Sequence, residues 1–111
     1  MQNHGFTEAD WKLFRKRLPE WQEHYMEGLI EQYKEILSTD EPASSKFWEL
    51  EKRLKKDKRD TGVLATDISR SNMRMHLIEL FHEGAITEED LAEFSEELCE
   101  TLPFSDSQTL G

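Results

Sequence analysis

Apolar residues recur every three or four positions through the last third of the chain, on both sides of one short turn. This spacing places them on one face of an α-helix. The turn, residues 83–87, contains Gly84, which suits the end of a helix, and Thr87, which suits the cap of the next one. The stretch from Asp67 to Leu102 therefore predicts two helices folded back on each other. Their apolar stripes are Met73, Leu77, Leu80, Phe81, Leu91, Phe94, Leu98 and Leu102.

The first third of the chain predicts two more helical segments. One begins after Thr7, which has Asp10 three residues on, the arrangement of a capping box. Pro19 predicts a break, because proline disfavours helix in the residue before it and suits the first turn of a new helix. A second helix then runs to about Leu37; one long helix kinked at Pro19 is the alternative. Gly28 inside the second helix indicates a close helix crossing.

A third helix is predicted in the middle of the chain. It is expected to begin at Ser44 or Ser45 and to end at Gly62, and Thr66 or Asp67 is expected to cap the helix that follows. The apolar residues Phe47, Leu50 and Leu54 are predicted to face inward, with Trp48 at the edge of the stripe.

These segments predict an all-α protein: a small antiparallel bundle of four to five helices that ends in a helical hairpin. Residues 1–111 are expected to form one domain with flexible ends at 1–6 and 104–111. The C-terminal hairpin is predicted to lie against the second and third helices. The sequence has a single valine, and alternating β-forming residues nowhere extend over four positions, so no strand is predicted.

The net charge of −10 is unevenly distributed. Residues 1–74 hold 14 acidic and 14 basic groups, whereas residues 75–111 hold 10 acidic groups and no lysine or arginine. An acidic surface repels nucleic acid and favours basic partners, although solubility alone is the simpler explanation. The basic run from Lys52 to Arg59 could contact phosphate groups, but it has no aromatic interleaving, and cations near a helix C-terminus are favoured by the helix dipole.

Two groups of residues are candidate binding sites. Trp11, Trp21 and Trp48 lie on apolar stripes or at their borders; core packing is the default, but a half-covered tryptophan is a natural anchor for a protein partner. Arg70 and Arg74 lie four apart near a predicted helix N-terminus and could hold an anion. Salt bridges to neighbouring acidic side chains are the structural alternative for the arginines.

Catalytic and metal-binding patterns are weak. Glu79 and His82 have the Glu-x-x-His spacing of carboxylate-bridged di-iron bundles, but the second such pair is missing. Glu79 is also expected on the polar face of its helix, with Asn72, His76 and Glu83. Cys99, the one cysteine, excludes an internal disulfide; acidic neighbours are expected to raise its pKa. We therefore predict no catalytic residue, cofactor or metal.

The sequence does not identify an activity, and it supports three hypotheses of different rank. The leading one is a cytoplasmic, non-catalytic interaction or regulatory protein that presents helical faces to a protein partner, which could be a second copy of itself. The second is an acidic inhibitor that mimics nucleic acid and blocks a basic protein. The third is a carboxylate and histidine metal-binding bundle. Nucleic-acid binding is not expected, because an acidic surface repels nucleic acid. Membrane insertion is not expected, because no apolar run reaches the length that spans a bilayer.

Overall fold

A computed structural model describes residues 5–103, and within this range the chain forms helices and no strand. The predicted all-α class is confirmed. Of the ends predicted to be flexible, residues 1–4 and 104–111 lie outside the described range. The elements are α1 (Glu8–Leu37), α2 (Ala43–Asp57), α3 (Met73–Glu83), α4 (Glu88–Leu91) and α5 (Glu96–Cys99), with a 3₁₀ turn (Arg70–Asn72) leading into α3.

The first element is one continuous helix, so the predicted break at Pro19 is wrong. Proline inside a helix costs roughly 3 kcal/mol because it removes one backbone hydrogen bond and crowds the preceding turn. Two features offset that cost here. Pro19 faces solvent, where water can satisfy the freed carbonyl, and the buried side chains of Leu18 and Trp21 fix the helix on both sides of it. The helix is about 45 Å long at 1.5 Å per residue.

The hydrophobic core forms between the first half of α1 and the C-terminal elements. Phe14, Met73, Leu77, Leu80 and Leu98 are fully buried. The apolar stripes predicted on both sides of the turn enter this core, except that Phe81 is only partly buried. These stripes were predicted to pack against the second and third helices. The predicted third helix is α2 of the structure, and that part of the prediction is wrong because α2 contributes no buried apolar side chain. The full cluster is Trp11, Phe14, Leu18, Trp21, Met73, Leu77, Leu80, Ala85, Ile86, Leu91, Phe94, Leu98 and Leu102.

Asp10 ties the start of α1 to the start of α5. Its carboxylate is 3% exposed and accepts hydrogen bonds from Thr7 N at 2.9 Å, Ser95 N at 2.9 Å and Ser95 Oγ at 2.6 Å. The Ser95 hydroxyl oxygen in turn accepts from the backbone N–H of Leu98. Burial raises the pKa of Asp10, but these hydrogen bonds outweigh it and leave the pKa below its ordinary value. One carboxylate therefore caps one helix and positions the cap of another.

The same contact explains why the second arm of the C-terminal stretch is two short helices and not one. Ser95 has an extended backbone, which interrupts the helix between Leu91 and Glu96. Ser95 followed by two glutamates is a helix N-terminus signal within the apolar stripe. Because both short helices keep the stripe facing the core, periodicity alone does not reveal the interruption.

The turn before α4 matches its prediction. Gly84 ends α3 in the left-handed conformation, with φ of 83°. Thr87 and Asp90 then form a capping box at the start of α4, and the Thr7–Asp10 box begins α1 in the same way.

Three other predicted boundaries are wrong. The second helix of the structure begins at Ala43, directly after Pro42, instead of at a serine cap, and it ends at Asp57 well before Gly62. The next helix begins only at Arg70, since Asp67 adopts a positive φ of 54° that no helix continues. The side-chain amide of Asn72 donates to the carbonyl of Asp67 and stabilises this bend.

The second half of α1 and the whole of α2 form a helical hairpin that extends beyond the core. It is distinct from the predicted C-terminal hairpin, and we call it the hairpin. The described part of the chain measures 62 × 33 × 17 Å, with a radius of gyration of 17.2 Å, whereas a compact domain of this size has a radius of about 13 Å. None of the described helices is long and apolar enough to cross a lipid bilayer.

Replacing Asp10 with alanine is expected to lower the free energy of unfolding by about 2–4 kcal/mol, because the N–H groups of Thr7 and Ser95 lose their acceptor inside the protein. Asp90→Ala is the matched control: it removes an equivalent capping box whose bonds are all local, and about 1 kcal/mol is expected. Urea denaturation measures both. Equal losses in the two variants would contradict the special role of Asp10.

The pH dependence follows from the lowered pKa of Asp10. Its contribution to stability is present above the unfolded-state pKa of about 4 and is lost as the pH falls through the lower folded-state value. The Asp10→Ala variant should therefore lose less stability than the wild type between about pH 5 and pH 2.

Candidate interaction surface

The hairpin carries exposed apolar side chains from both of its helices. Ile30 is 51% exposed and Leu37 48% on α1, while Phe47 is 62% exposed and Leu54 42% on α2. Trp48, at 63%, is also exposed, and its ring lies edge-on to that of Phe47 with centroids 5.0 Å apart. We call these five side chains the hairpin face.

The two helices align their exposed side chains in layers. Ile30 and Leu54 border the same groove of about 220 Å³, together with the partly buried Met26 and Tyr33. Leu37 follows Ile30 by seven residues, and Phe47 precedes Leu54 by seven. Because α1 and α2 are antiparallel neighbours joined by a five-residue turn at 38–42, both steps lead toward the turn. Leu37 and Phe47 therefore form a second apolar layer one heptad away.

The sequence prediction for α2 is wrong at this point. Phe47 and Leu54 were expected to face inward, but α2 packs on α1 through a different and more polar edge. Arg53 Nη2 donates to Gln32 Oε1 at 2.6 Å, and Tyr33 Oη donates to Asp57 Oδ2 at 2.6 Å. The apolar stripe of α2 is thereby turned to one side, where no described element of the chain covers it.

One sequence signal could have identified the hairpin face. Ile30 and Leu37 lie beside the apolar line of α1 that runs through Leu29, Tyr33 and Ile36. Two adjacent lines make an apolar surface wider than a single neighbouring helix covers. The heptad spacing shared with Phe47 and Leu54 would then have paired the two helices.

The three tryptophans separate into two groups. Trp11 and Trp21 are each 7% exposed and belong to the core cluster, so they do not offer an anchor surface to a partner. Of the three tryptophans, only Trp48 is exposed enough to serve as an anchor for a protein partner.

A cluster of carboxylates holds the hairpin against the core. Glu83 on α3 accepts from Thr61 N at 2.8 Å and from Gly62 N at 2.9 Å, and Glu79 accepts from Thr61 Oγ1 at 2.6 Å. Burial raises the pKa of Glu83, although these two N–H groups act in the opposite direction. The segment after α2 is thus clamped onto α3 by two acids one helical turn apart.

Two tyrosines of α1 add hydrogen bonds to the same region. We call the whole set of contacts that holds α2 and the segment after it against α1 and α3 the joint. Tyr25 Oη donates to Asp60 Oδ2 at 2.6 Å, in the same way as Tyr33 donates to Asp57. Burial and the adjacent carboxylates raise the pKa of Tyr25, and they raise that of Tyr33 to about 12, so both phenols stay protonated as donors at neutral pH. The orientation of α2 on α1 is therefore set by hydrogen bonds more than by apolar packing.

The face of α3 that was predicted to be polar and solvated makes contacts within the chain instead. Glu79 and Glu83 hold the joint, and His76 is 3% exposed with its ring stacked parallel to that of Phe14 at 6.3 Å. His76 Nδ1 has no hydrogen-bond partner among the described residues. No group of three or more histidine, cysteine, aspartate or glutamate side chains in residues 5–103 is arranged to hold a metal ion.

The structure places Arg70 and Arg74 beside a groove of about 360 Å³ that Phe6 and Ser71 also line. Arg70 is engaged within the chain: its Nη2 lies 2.6 Å from Glu8 Oε2, and its guanidinium lies 5.4 Å above the Trp11 ring. The hydrogen bond from Arg70 lowers the pKa of Glu8. Arg74 Nε donates to Thr101 Oγ1 at 2.9 Å. Anion binding by this pair stays a prediction, and the alternative salt bridge is present for Arg70.

Several acidic groups of the C-terminal half are committed to contacts within the chain. Besides Glu79 and Glu83, Asp90 caps α4, and Glu93 accepts from Arg17 at 2.9 Å. The acidic surface open to a basic partner is therefore smaller than the sequence charge predicts.

Cys99 is half-buried, and its thiol donates to the carbonyl of Leu91 at 3.3 Å. Burial raises the pKa of Cys99 first, and the nearby Asp10 and Glu96 carboxylates add to the effect. The direction agrees with the sequence prediction, but the main cause is burial. A raised pKa leaves little of the reactive thiolate at neutral pH.

Comparisons of this chain with protein-family models, with curated proteins and with solved structures find no match.

The joint can be tested at two glycines. Gly62 is buried, and a Cβ atom there would lie 2.5 Å from Cδ2 of the Tyr25 ring, which Asp60 holds in place. Gly62→Ala is therefore expected to lower the free energy of unfolding by about 1–3 kcal/mol.

Gly28→Ala is the control. The predicted close helix crossing at Gly28 is wrong, because a Cβ atom there would meet nothing within 4 Å. Alanine is expected to stabilise α1 by about 0.5–1 kcal/mol. Thermal denaturation of the two variants should thus give shifts of opposite sign; shifts of the same sign would contradict this description of the joint.

Proposed function

We propose that this protein is a non-catalytic interaction protein that binds another protein chain through the hairpin face. Supporting this proposal is the side-by-side exposure of Ile30 and Leu54 across the two helices, with an aromatic pair at the end near the turn. Scattered exposed apolar residues are ordinary, but a contiguous apolar surface with charged neighbours is typical of a protein-binding site.

The composition of the face favours a protein partner over a small ligand. Tryptophan and phenylalanine are enriched among the residues that contribute most to protein–protein binding, and Trp48 stands exposed at the end of the face. The groove between Ile30 and Leu54 exposes mainly apolar surface. Such a groove suits the side chains of a helix laid along it.

The hydrogen-bonded joint also supports the proposal. Tyr33 fixes α2 against α1, and Tyr25 and Glu83 hold the segment after α2 against α1 and α3. The side chains of Ile30 and Leu54 nevertheless stay about half exposed. A face held in place before binding loses less conformational entropy when the partner arrives.

Immobilised full-length protein can test the proposal by capture from a lysate of the native host. Trp48→Gln and Ile30→Gln should each reduce capture of a specific protein by about fivefold or more, since anchor residues typically contribute over 1 kcal/mol. Met75→Gln is the control: Met75 on α3 is 46% exposed, close to the 51% of Ile30, but lies outside the face. Equal capture by all four proteins would overturn the proposal.

A further inference from the structure

We propose that the occupant of the hairpin face is a second copy of this chain, with α1 of each copy packed against α2 of the other in a four-helix bundle. This inference rests on the proposed function, because it uses the same face, and it adds the identity and the orientation of the partner.

Symmetry leaves two ways for identical two-helix faces to meet. A two-fold axis that runs along the helices places α1 of one copy over α2 of the other. A two-fold axis across the helices places α1 over α1 and α2 over α2. Only the first arrangement keeps each apolar layer at its own level, so that Ile30 and Leu54 meet the same pair of the second copy, and Leu37 and Phe47 do likewise.

The overall charges of the two helices favour the first arrangement. Residues 23–37 of α1 hold four glutamates and one lysine, whereas α2 holds five basic and three acidic residues. Packing α1 on α1 would bring two acidic helices together, and packing α2 on α2 would bring two basic helices together. Packing α1 on α2 pairs opposite charges and favours association.

Individual charged positions at the rim agree with the same arrangement. Glu27 lies three residues before Ile30 and Lys58 four residues after Leu54, so in antiparallel helices both are displaced toward the core. Lys58 borders the groove, and the Glu27 side chain is 66% exposed. Along the outer edge of the bundle, Glu27 of one copy would therefore face Lys58 of the other.

The opposite rim positions, toward the turn, are also complementary. Lys34 lies four residues after Ile30 and Glu51 three residues before Leu54. Their side chains are 66% and 46% exposed, and each already has a partner within its own helix, Glu31 and Lys55 respectively. Lys34 of one copy would face Glu51 of the other, so both rim levels match in sign.

The size of the face is sufficient for a weak dimer. A fully covered aromatic side chain buries about 150–250 Å², so five large side chains with about half of their surface exposed offer roughly 500 Å² in each copy. Two such faces bury about 1,000 Å² together, near the lower limit of specific interfaces. We therefore expect reversible dimers with a micromolar dissociation constant.

Sedimentation equilibrium of the full chain from about 1 µM to about 200 µM brackets that affinity. The wild type is expected to convert from monomer to dimer in this range. Ile30→Asp should raise the Kd by more than about tenfold, whereas Met75→Asp, at a comparably exposed position on α3, should leave it unchanged. Circular dichroism confirms that each variant is folded.

Charge reversal at the rim tests the orientation. Glu27→Lys and Lys58→Glu should each raise the Kd about fivefold to tenfold, because each places two like-charged pairs in the symmetric dimer, and the double variant should recover most of the wild-type affinity. Double-variant Kd values no better than those of the single variants would overturn the α1-on-α2 arrangement.

A wild type that stays monomeric at 200 µM would overturn the homodimer itself. That result leaves the proposed function standing if Trp48→Gln and Ile30→Gln still reduce capture of a different protein. Conversely, loss of both dimerisation and face-dependent capture would exclude the hairpin face as a binding surface.

Discussion

The length and continuity of α1 is the constraint on which the rest of the structure depends. Its first half packs under α3, α4 and α5, and these elements are too short to cover its second half. Pro19 is accommodated because Leu18 and Trp21 are both anchored in the core and the proline itself faces water. The second half of α1 therefore extends beyond the core as part of the same helix, and α2 covers only one side of it.

Carboxylates connect the parts of this fold that apolar contacts do not. Asp10 joins the caps of α1 and α5 across 85 residues of sequence, and Glu83 joins α3 to the segment after α2. Both act on backbone N–H groups that would otherwise be left without a partner at helix ends or in turns. A chain with few aliphatic residues thus uses part of its acidic excess as structural hydrogen-bond acceptors.

These commitments change the interpretation of the charge. The acidic C-terminal half suggested a surface for basic partners, but Glu79, Glu83, Asp90 and Glu93 have contacts within the chain. The charges that remain polarised are those on the hairpin, where a glutamate-rich α1 lies beside a lysine-rich α2. Because the hairpin face lies between an acidic edge on α1 and a basic edge on α2, a partner can bind there through both apolar burial and matched charge.

The sequence by itself determined the helical class, the turn at Gly84 and Thr87, the Thr7–Asp10 cap and most of the core stripes. These features follow from local rules: the 3.6-residue period, the side-chain cap and the freedom of glycine. Tertiary contacts decided the rest. Ser95 interrupts the last predicted helix because its N–H and hydroxyl groups donate hydrogen bonds to Asp10, from the far end of the chain. Pro19 stays helical because the core holds the residues on both sides of it.

The candidate site shows the same division. Periodicity identified the apolar residues Phe47, Leu54 and Trp48, but it could not say which neighbour would cover them. The direction of that stripe was decided by Tyr33, Gln32 and Arg53, whose hydrogen bonds turn α2 so that its apolar side points away from the core. An apolar stripe states only that a helix needs a partner surface, and the identity of that surface depends on contacts between residues distant in sequence.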